Sequence, residues 1–299
     1  ENEVELLKKF HSCIFHSKYE YNMSSRFYYK QIVNKNFDKI QFTGNSVVDE
    51  SNTYTPIFIV GLPRSGSTLL ESVLKSSKEN ILSVGECNVI NGSVLEQVGP
   101  KIYIKNFDIK NFKFEINGEV FNRSVLNRYL QLNINKKENK IFIDKSLENF
   151  FNIQIILNIF PNAKFIHTFR NPVDSVISIF QSMLAELSWT HSIEDILDYI
   201  DYYYKAVSYF KKRYPQNFID LDLEKFSNKP EKLTREIYKF CNLTWTDNSL
   251  NFYKRSDLFS KTLSYTQIRN KITKYDSKKY ESYFYLLERY KKKYSWLNI

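Results

Sequence analysis

The chain is poor in the residues that cross-link, hinge or break a fold. Its 299 residues include three cysteines, seven glycines, seven prolines and four histidines. Cys13, Cys87 and Cys241 show no CxxC spacing and are odd in number, so neither a zinc site nor a disulfide framework is expected, and reduced thiols in the cytoplasm are the default. His11, His16 and His191 lack metal-ligand spacing, so no metal is expected either. So little glycine and proline excludes a loop-dominated or disordered protein. Without a Pro/Gly/Ser-rich linker, one domain spanning residues 1–299 is expected. No apolar run approaches the roughly 20 residues that span a bilayer, so no membrane segment is expected. No repeat is visible, which excludes a solenoid.

What is present is core material and positive charge. Hydrophobic residues make up 42% of the chain, with 24 Phe and 22 Tyr. The net charge of +10 favours anionic ligands. The lysines are scattered, as in 101–113 and 271–293, and no RNA-type aromatic motif accompanies them, so no nucleic acid is expected as a partner.

Residues 1–45 carry helical spacing at Leu6, Leu7 and Phe10 and again at Phe27, Tyr28, Ile32 and Val33, a helical lead-in expected to pack on the domain. Strands are expected near Ile57, at 81–86, 140–145, 163–169 and 218–221. Helices are expected after the first strand, to about Val98, over 147–159, 173–184 and 192–213, while 101–120 is ambiguous. Strands alternating with helices imply an α/β fold, a P-loop-like parallel sheet with helices on both faces and ligands at the carboxyl ends of the strands.

The most informative segment is Pro56 to Thr68, an apolar β-run entering a glycine-bounded loop and then a helix. Such a loop aims backbone N–H groups at one phosphate, and the helix adds its positive end. Gly61, Gly66 and Thr68 match the Walker A spacing, but Ser67 stands at its lysine position, which argues against an ordinary ATPase or kinase. Pro63, Arg64, Ser65, Gly66, Ser67 and Thr68 are the expected anion contacts, Arg64 in a bidentate role. In a second motif Arg170 ends a strand and Ser178 lies about two turns into the next helix, so that folding back at Pro172 lets both face one phosphate. His167, mid-strand, is read as a core histidine, and Asp174 as a stabiliser of its helix's first turn.

With these residues in place the chain resembles the sulfotransferases that use 3′-phosphoadenosine-5′-phosphosulfate (PAPS). The order GLPRSGSTLLE, VGE, DKSLENF, FPNAKFIHTFRNPVDSVIS and FIDLDLEKFSNKPEK is similar to bacterial sulfotransferases that often carry tetratricopeptide repeats, and to tyrosylprotein sulfotransferases. The resemblance implies that PAPS is the co-substrate and that no metal is needed. It implies that Pro63 to Thr68 hold the 5′-phosphosulfate and that Arg170 and Ser178 hold the 3′-phosphate. Glu86, after Gly85, takes the place of the base on the acceptor hydroxyl, and Lys145 that of the cation at the transferring sulfuryl group, with Asp144 beside it to orient it. Thr262 to Arg269 resembles the segment that folds over the nucleotide, with Ser264 and Arg269 as contacts. The expected partner is a hydroxyl-bearing acceptor, namely a peptidyl tyrosine, a glycan or a small molecule, and a homodimer is a possible assembly. A P-loop nucleotide or small-molecule kinase and a non-catalytic nucleotide-binding protein are the alternatives at this point.

Overall fold

A computed structural model of the protein describes residues 3–44, 53–79, 81–102, 107–134, 140–255 and 267–298. The strands are β1 (Gln41–Thr43), β2 (Ile57–Gly61), β3 (Leu82–Ser83), β4 (Glu115–Asn117), β5 (Phe142–Asp144), β6 (Lys164–Phe169) and β7 (Phe218–Asp222). The helices are α1 (Glu3–Ser17), α2 (Tyr19–Phe27), α3 (Asn34–Asn36), α4 (Ser67–Leu74), α5 (Val89–Ile102), α6 (Gly118–Gln131), α7 (Ile153–Ile159), α8 (Pro172–Gln181), α9 (Ile193–Arg213), α10 (Leu223–Asn228) and α11 (Pro230–Phe240). The main sheet runs β3-β5-β2-β6-β7, every pair parallel. Chain order reverses around β2, so its carboxyl end is the switch point where a crevice opens.

Strand β2 explains the layering. It is apolar from Ile57 to Val60 and buried throughout, as a central parallel strand covered on both faces must be. Because side chains alternate, Phe58 and Val60 face one core with Phe142, Phe165 and residues of α5, α6 and α9. Ile57 and Ile59 face a second core with Ile143, Ile166, Leu221 and residues of α4 and α11. Each such side chain stabilises the fold by about 1.5–3 kcal/mol on burial. The sequence expectation of a parallel sheet between helices is met.

The lead-in is held to α9 by charge as well as packing. Arg26 and Lys30 each lie 2.9 Å from the buried carboxylate of Asp195, and Lys30 also reaches Asp198 at 3.2 Å. The helix cap at this point is Ser192, whose hydroxyl accepts from Asp195 N at 3.1 Å. The lead-in is not helical to its end. Residues Tyr28–Val33 form a π-helical turn, and β1 pairs in parallel with β4 at Gln41↔Glu115, Phe42↔Ile116 and Thr43↔Asn117. Part of the ambiguous stretch 101–120 is therefore strand, with Ile116 fully buried as its anchor. The expected helix over 147–159 is two pieces, a 3-10 turn Leu147–Phe151 and α7, parted at Asn152.

Candidate active site

The carboxyl ends of the strands open into one cleft of about 1490 Å³. The loop after β2 forms its centre. A Cβ on Gly61 would lie 2.3 Å from Thr168 O, so only glycine lets β2 and β6 approach here. Gly66, at φ 89°, is the left-handed N-cap of α4, and a Cβ there would meet Leu223 at 2.6 Å. Arg64 itself adopts φ 69°, a conformation that costs a non-glycine residue energy and that sets where its side chain points. Pro63, Arg64, Gly66, Ser67 and Thr68 all line the cleft. Ser65 does not: its buried hydroxyl is 2.7 Å from Thr168 Oγ1, tying the loop to β6.

Strand β6 delivers Arg170 to the same end. Asn171 caps α8 by accepting from Val173 N at 2.9 Å and Asp174 N at 3.4 Å, with Pro172 in the first turn where its missing N–H is harmless. Arg170 donates through Nη2 to Asp174 O at 2.7 Å and lies 5.5 Å from the ring centre of Tyr280. Its Nε is buried and has no hydrogen-bond partner among the described residues. Burial, and after it the neighbouring Arg170 charge, lower the pKa of Arg64, so two guanidinium groups repel each other across this end of the cleft. Ser178 is buried and hydrogen-bonds Tyr280, which itself lines the cleft. Burial alone would raise the Tyr280 phenol, but Ser178 and the Arg170 charge bring it below its ordinary value. Asp174 stands in the first turn of α8 as expected and has a second part. Asn171 does the capping, while burial raises the Asp174 carboxyl and the Tyr275 hydroxyl donates to it.

The other end is built by β3 and β5. Lys145 N donates to Gly85 O at 2.9 Å and Asn88 N to Ser146 Oγ at 2.9 Å, which locks the two strand-end loops side by side. This puts Glu86 Oε1 2.5 Å from Lys145 Nζ. The lysine side chain is 2% exposed and the glutamate 49%. A second carboxylate, Glu71 of α4, stands 3.9 Å from Lys145 and accepts from Ser83 Oγ at 2.5 Å. Asp144 does not orient Lys145. Phe142 and Asp144 share one face of β5 and Lys145 takes the other, so Asp144 turns away and accepts from Tyr129 OH at 2.6 Å and Ser146 N at 2.7 Å.

Of the remaining expectations, Ser264 lies outside the described residues. Arg269 is exposed and does not line the cleft, although Ile268, Asn270, Lys271 and Lys274 do. The segment 267–298 runs as turns and 3-10 pieces rather than the solvated helix its lysines allow, and buries Ile268, Tyr280 and Leu287 as anchors. His167 is a sheet histidine with both ring nitrogens engaged, Nδ1 by Asp220 at 2.8 Å and Nε2 by the Tyr203 hydroxyl. Sequence reasoning missed Tyr275, Tyr280 and Lys279, which line the guanidinium end from more than 90 residues downstream, and Glu71, legible only as a helix residue one turn past the loop.

The cleft fits a ligand with two separated anionic groups, since the loop and helix end offer one anion site and Arg170, with its orphaned Nε, offers another. Comparison with known proteins bears on what that ligand is. Residues 56–247 match the family model described as Sulfotransferase family. A protein of Aquifex aeolicus (strain VF5), named only as uncharacterized, is 31% identical over 243 residues, 76% of this chain and 30% of that protein. The chain thus spans about 30% of the length of the curated relative it matches. Among solved structures, the sulfotransferase domain from the Synechococcus PCC 7002 olefin synthase superposes with a TM-score of 0.56 at 18% identity, covering 81% of this chain and 91% of that one. The sulfotransferase domain from the curacin biosynthetic pathway gives 0.51 at 17% identity, over 74% and 84%. These two share the fold.

Proposed function

The chain belongs to the sulfotransferase family, an enzyme family that draws its sulfuryl group from PAPS, and from that premise we propose how this cleft moves the group onto an acceptor hydroxyl. Pro63, Arg64, Gly66, Ser67 and Thr68 hold the 5′-phosphosulfate, with Arg64 on its oxygens, and Ser65 holds the loop in place through Thr168. Arg170 and Ser178 take the 3′-phosphate, Tyr280 giving up its bond to Ser178. The acceptor oxygen attacks sulfur in line, its proton passes to Glu86, and the bond from sulfur to the bridging oxygen breaks. Adenosine 3′,5′-bisphosphate leaves with the electron pair, and Lys145 offsets the charge that grows on the bridging oxygen. Arg269 is a peripheral contact in this reading, and the role expected of Ser264 falls on a residue outside the described ones.

The observation that carries the reading is the pairing within one cleft of two mutually repelling guanidiniums at one end and the Glu86–Lys145 contact at the other. An anion is wanted at the first end, and an acid–base couple stands ready at the second. The VGE and DKSLENF segments support a reading near the repeat-bearing bacterial and tyrosylprotein branches, a single domain is part of that reading, and the free thiols Cys13, Cys87 and Cys241 suit a reducing cytoplasm. Calorimetry with adenosine 3′,5′-bisphosphate, 5′-AMP and magnesium ATP tests the donor assignment. The bisphosphate should bind at least tenfold more tightly than either of the others. Equal affinity for 5′-AMP removes the 3′-phosphate site, and preference for magnesium ATP restores the kinase alternative.

A further inference from the structure

One half of the cleft lining includes Met183, Leu184, Ala185, Glu186 and Leu187, together with Trp189 and Tyr199. Trp189 and Tyr199 stack face to face, their centroids 3.8 Å apart and their planes 3° from parallel. Below this wall Glu148 lines the cleft, partly exposed. Its Oε1 accepts from Tyr199 OH at 2.7 Å and Trp189 Nε1 at 3.4 Å, and its Oε2 from Tyr29 OH at 2.5 Å.

All three donors are neutral. Among the described residues no lysine, arginine or histidine pairs with Glu148, whereas Glu86 has Lys145 at 2.5 Å and Glu186 has Lys18 at 2.6 Å. The charge is felt nearby: burial first, and the Glu148 field next, hold Tyr29 and Tyr199 well above the ordinary phenol range. A carboxylate offers about four acceptor positions, and three are taken here. Apart from Glu186 the wall is apolar, and among the described residues the cations beside it are engaged, Lys145 with Glu86 and Lys18 with Glu186. A carboxylated acceptor would therefore bring like charge to a place where, among the described residues, each neighbouring cation already has a carboxylate partner.

Resting on the sulfuryl transfer proposed above, we propose that this half of the cleft is an acceptor subsite for a hydroxyl compound with an apolar or aromatic body and a protonated amine. The ammonium pairs with Glu148, the body lies along Met183 to Leu187, and the hydroxyl points toward Glu86. Glu148 is thus a specificity residue that separates cationic from anionic acceptors.

Three phenols of matched shape test it: tyramine, 4-ethylphenol and 3-(4-hydroxyphenyl)propionate, whose side arms are cationic, neutral and anionic at pH 7. Labelled-sulfate transfer gives kcat/KM for each, and calorimetry gives their affinities for the protein with and without adenosine 3′,5′-bisphosphate. Tyramine should exceed 4-ethylphenol by about tenfold and the propionate by about a hundredfold, the range of one or two charge-assisted contacts. In Glu148→Gln the three should fall within about threefold of one another while bisphosphate affinity stays within about twofold of wild type. An equal or reversed order in the wild type, or no binding of any of the three, overturns the subsite. If the bisphosphate fails to bind, the transfer reading falls, yet the affinities on the nucleotide-free protein still decide the subsite. If Glu148→Gln fails to fold, the wild-type series decides it.

Discussion

Arg170→Ala should convert the cleft from one that distinguishes adenosine 3′,5′-bisphosphate from 5′-AMP into one that does not. In the protein as described, the Arg170 guanidinium spends one bond on Asp174 O at 2.7 Å, rests over Tyr280 and keeps Nε buried without a partner among the described residues. A 3′-phosphate would supply the missing acceptor, and a hydrogen bond between charged groups is worth about 1.5–3 kcal/mol. The contact with Tyr280 is lost whether or not nucleotide is present, so it cancels in the comparison. The expected loss is about 2–3 kcal/mol, or 30- to 150-fold, for the bisphosphate. For 5′-AMP the change should stay within about threefold, since removing Arg170 also relieves the repulsion that lowers the Arg64 pKa after burial. Titration calorimetry of both nucleotides at fixed ionic strength reads the ratio, and fixed salt matters because exposed charges are screened. Equal losses for both nucleotides, which leave the ratio unchanged, would refute the assignment and show that Arg170 serves the 5′ side or the fold.

Lys145→Ala should lower turnover by about a hundredfold or more, the usual effect of deleting a transition-state charge partner, while bisphosphate affinity by calorimetry changes by less than about fivefold. Tyr129→Phe removes the donor 2.6 Å from the buried Asp144 carboxylate and should cost about 1–3 kcal/mol of stability, seen as a lower melting temperature with KM for PAPS unchanged. The buried pair His11 and His191, whose Nδ1 atoms lie 3.2 Å apart, should make stability fall on acidification. Burial and then the charge of His11 lower His191 to about 4, and burial lowers His11. The unfolded chain therefore takes up protons first, so the contribution is whole above the unfolded value near 6.5 and is lost as pH falls toward about 4, at most about 3 kcal/mol for His191. Urea melts from pH 7.5 to 4.5 should show this slope, and His191→Leu should flatten it.

How much of this was legible depended on how local the physics is. The β2 run, its glycines and the absent Walker lysine lie within 13 consecutive residues, Pro56 to Thr68, so their geometry was readable as one unit. The parallel sheet between helices followed from alternation of strands and helices, whereas its order β3-β5-β2-β6-β7 rests on pairings between distant segments that alternation does not encode. Strand β4 was not readable, because Glu115-Ile116-Asn117 is three residues long and exists only through its pairing with Gln41–Thr43, more than 70 residues earlier. The turn of Asp144 away from Lys145 was in principle available from the two-residue period of a strand, but that required knowing that β5 reaches Asp144. Glu148 stood in DKSLENF without an assigned role, since its partners Tyr29, Trp189 and Tyr199 come from three distant segments. The scattered lysines of 271–293 gave no sign that Tyr275 and Tyr280 are fixed by Asp174 and Ser178, contacts that periodicity does not encode.

The central claim is that Glu86 and the cleft around it transfer a sulfuryl group from PAPS. Single-turnover transfer of labelled sulfate to 4-ethylphenol or tyramine, with wild type and Glu86→Gln side by side, measures it directly. Wild type should yield labelled sulfate ester in step with adenosine 3′,5′-bisphosphate, and Glu86→Gln should bind the nucleotide equally well and yield at least about a hundredfold less ester, as expected for loss of a general base. Undiminished transfer by Glu86→Gln, or a wild type that binds PAPS and passes its sulfate to no hydroxyl, would contradict the account.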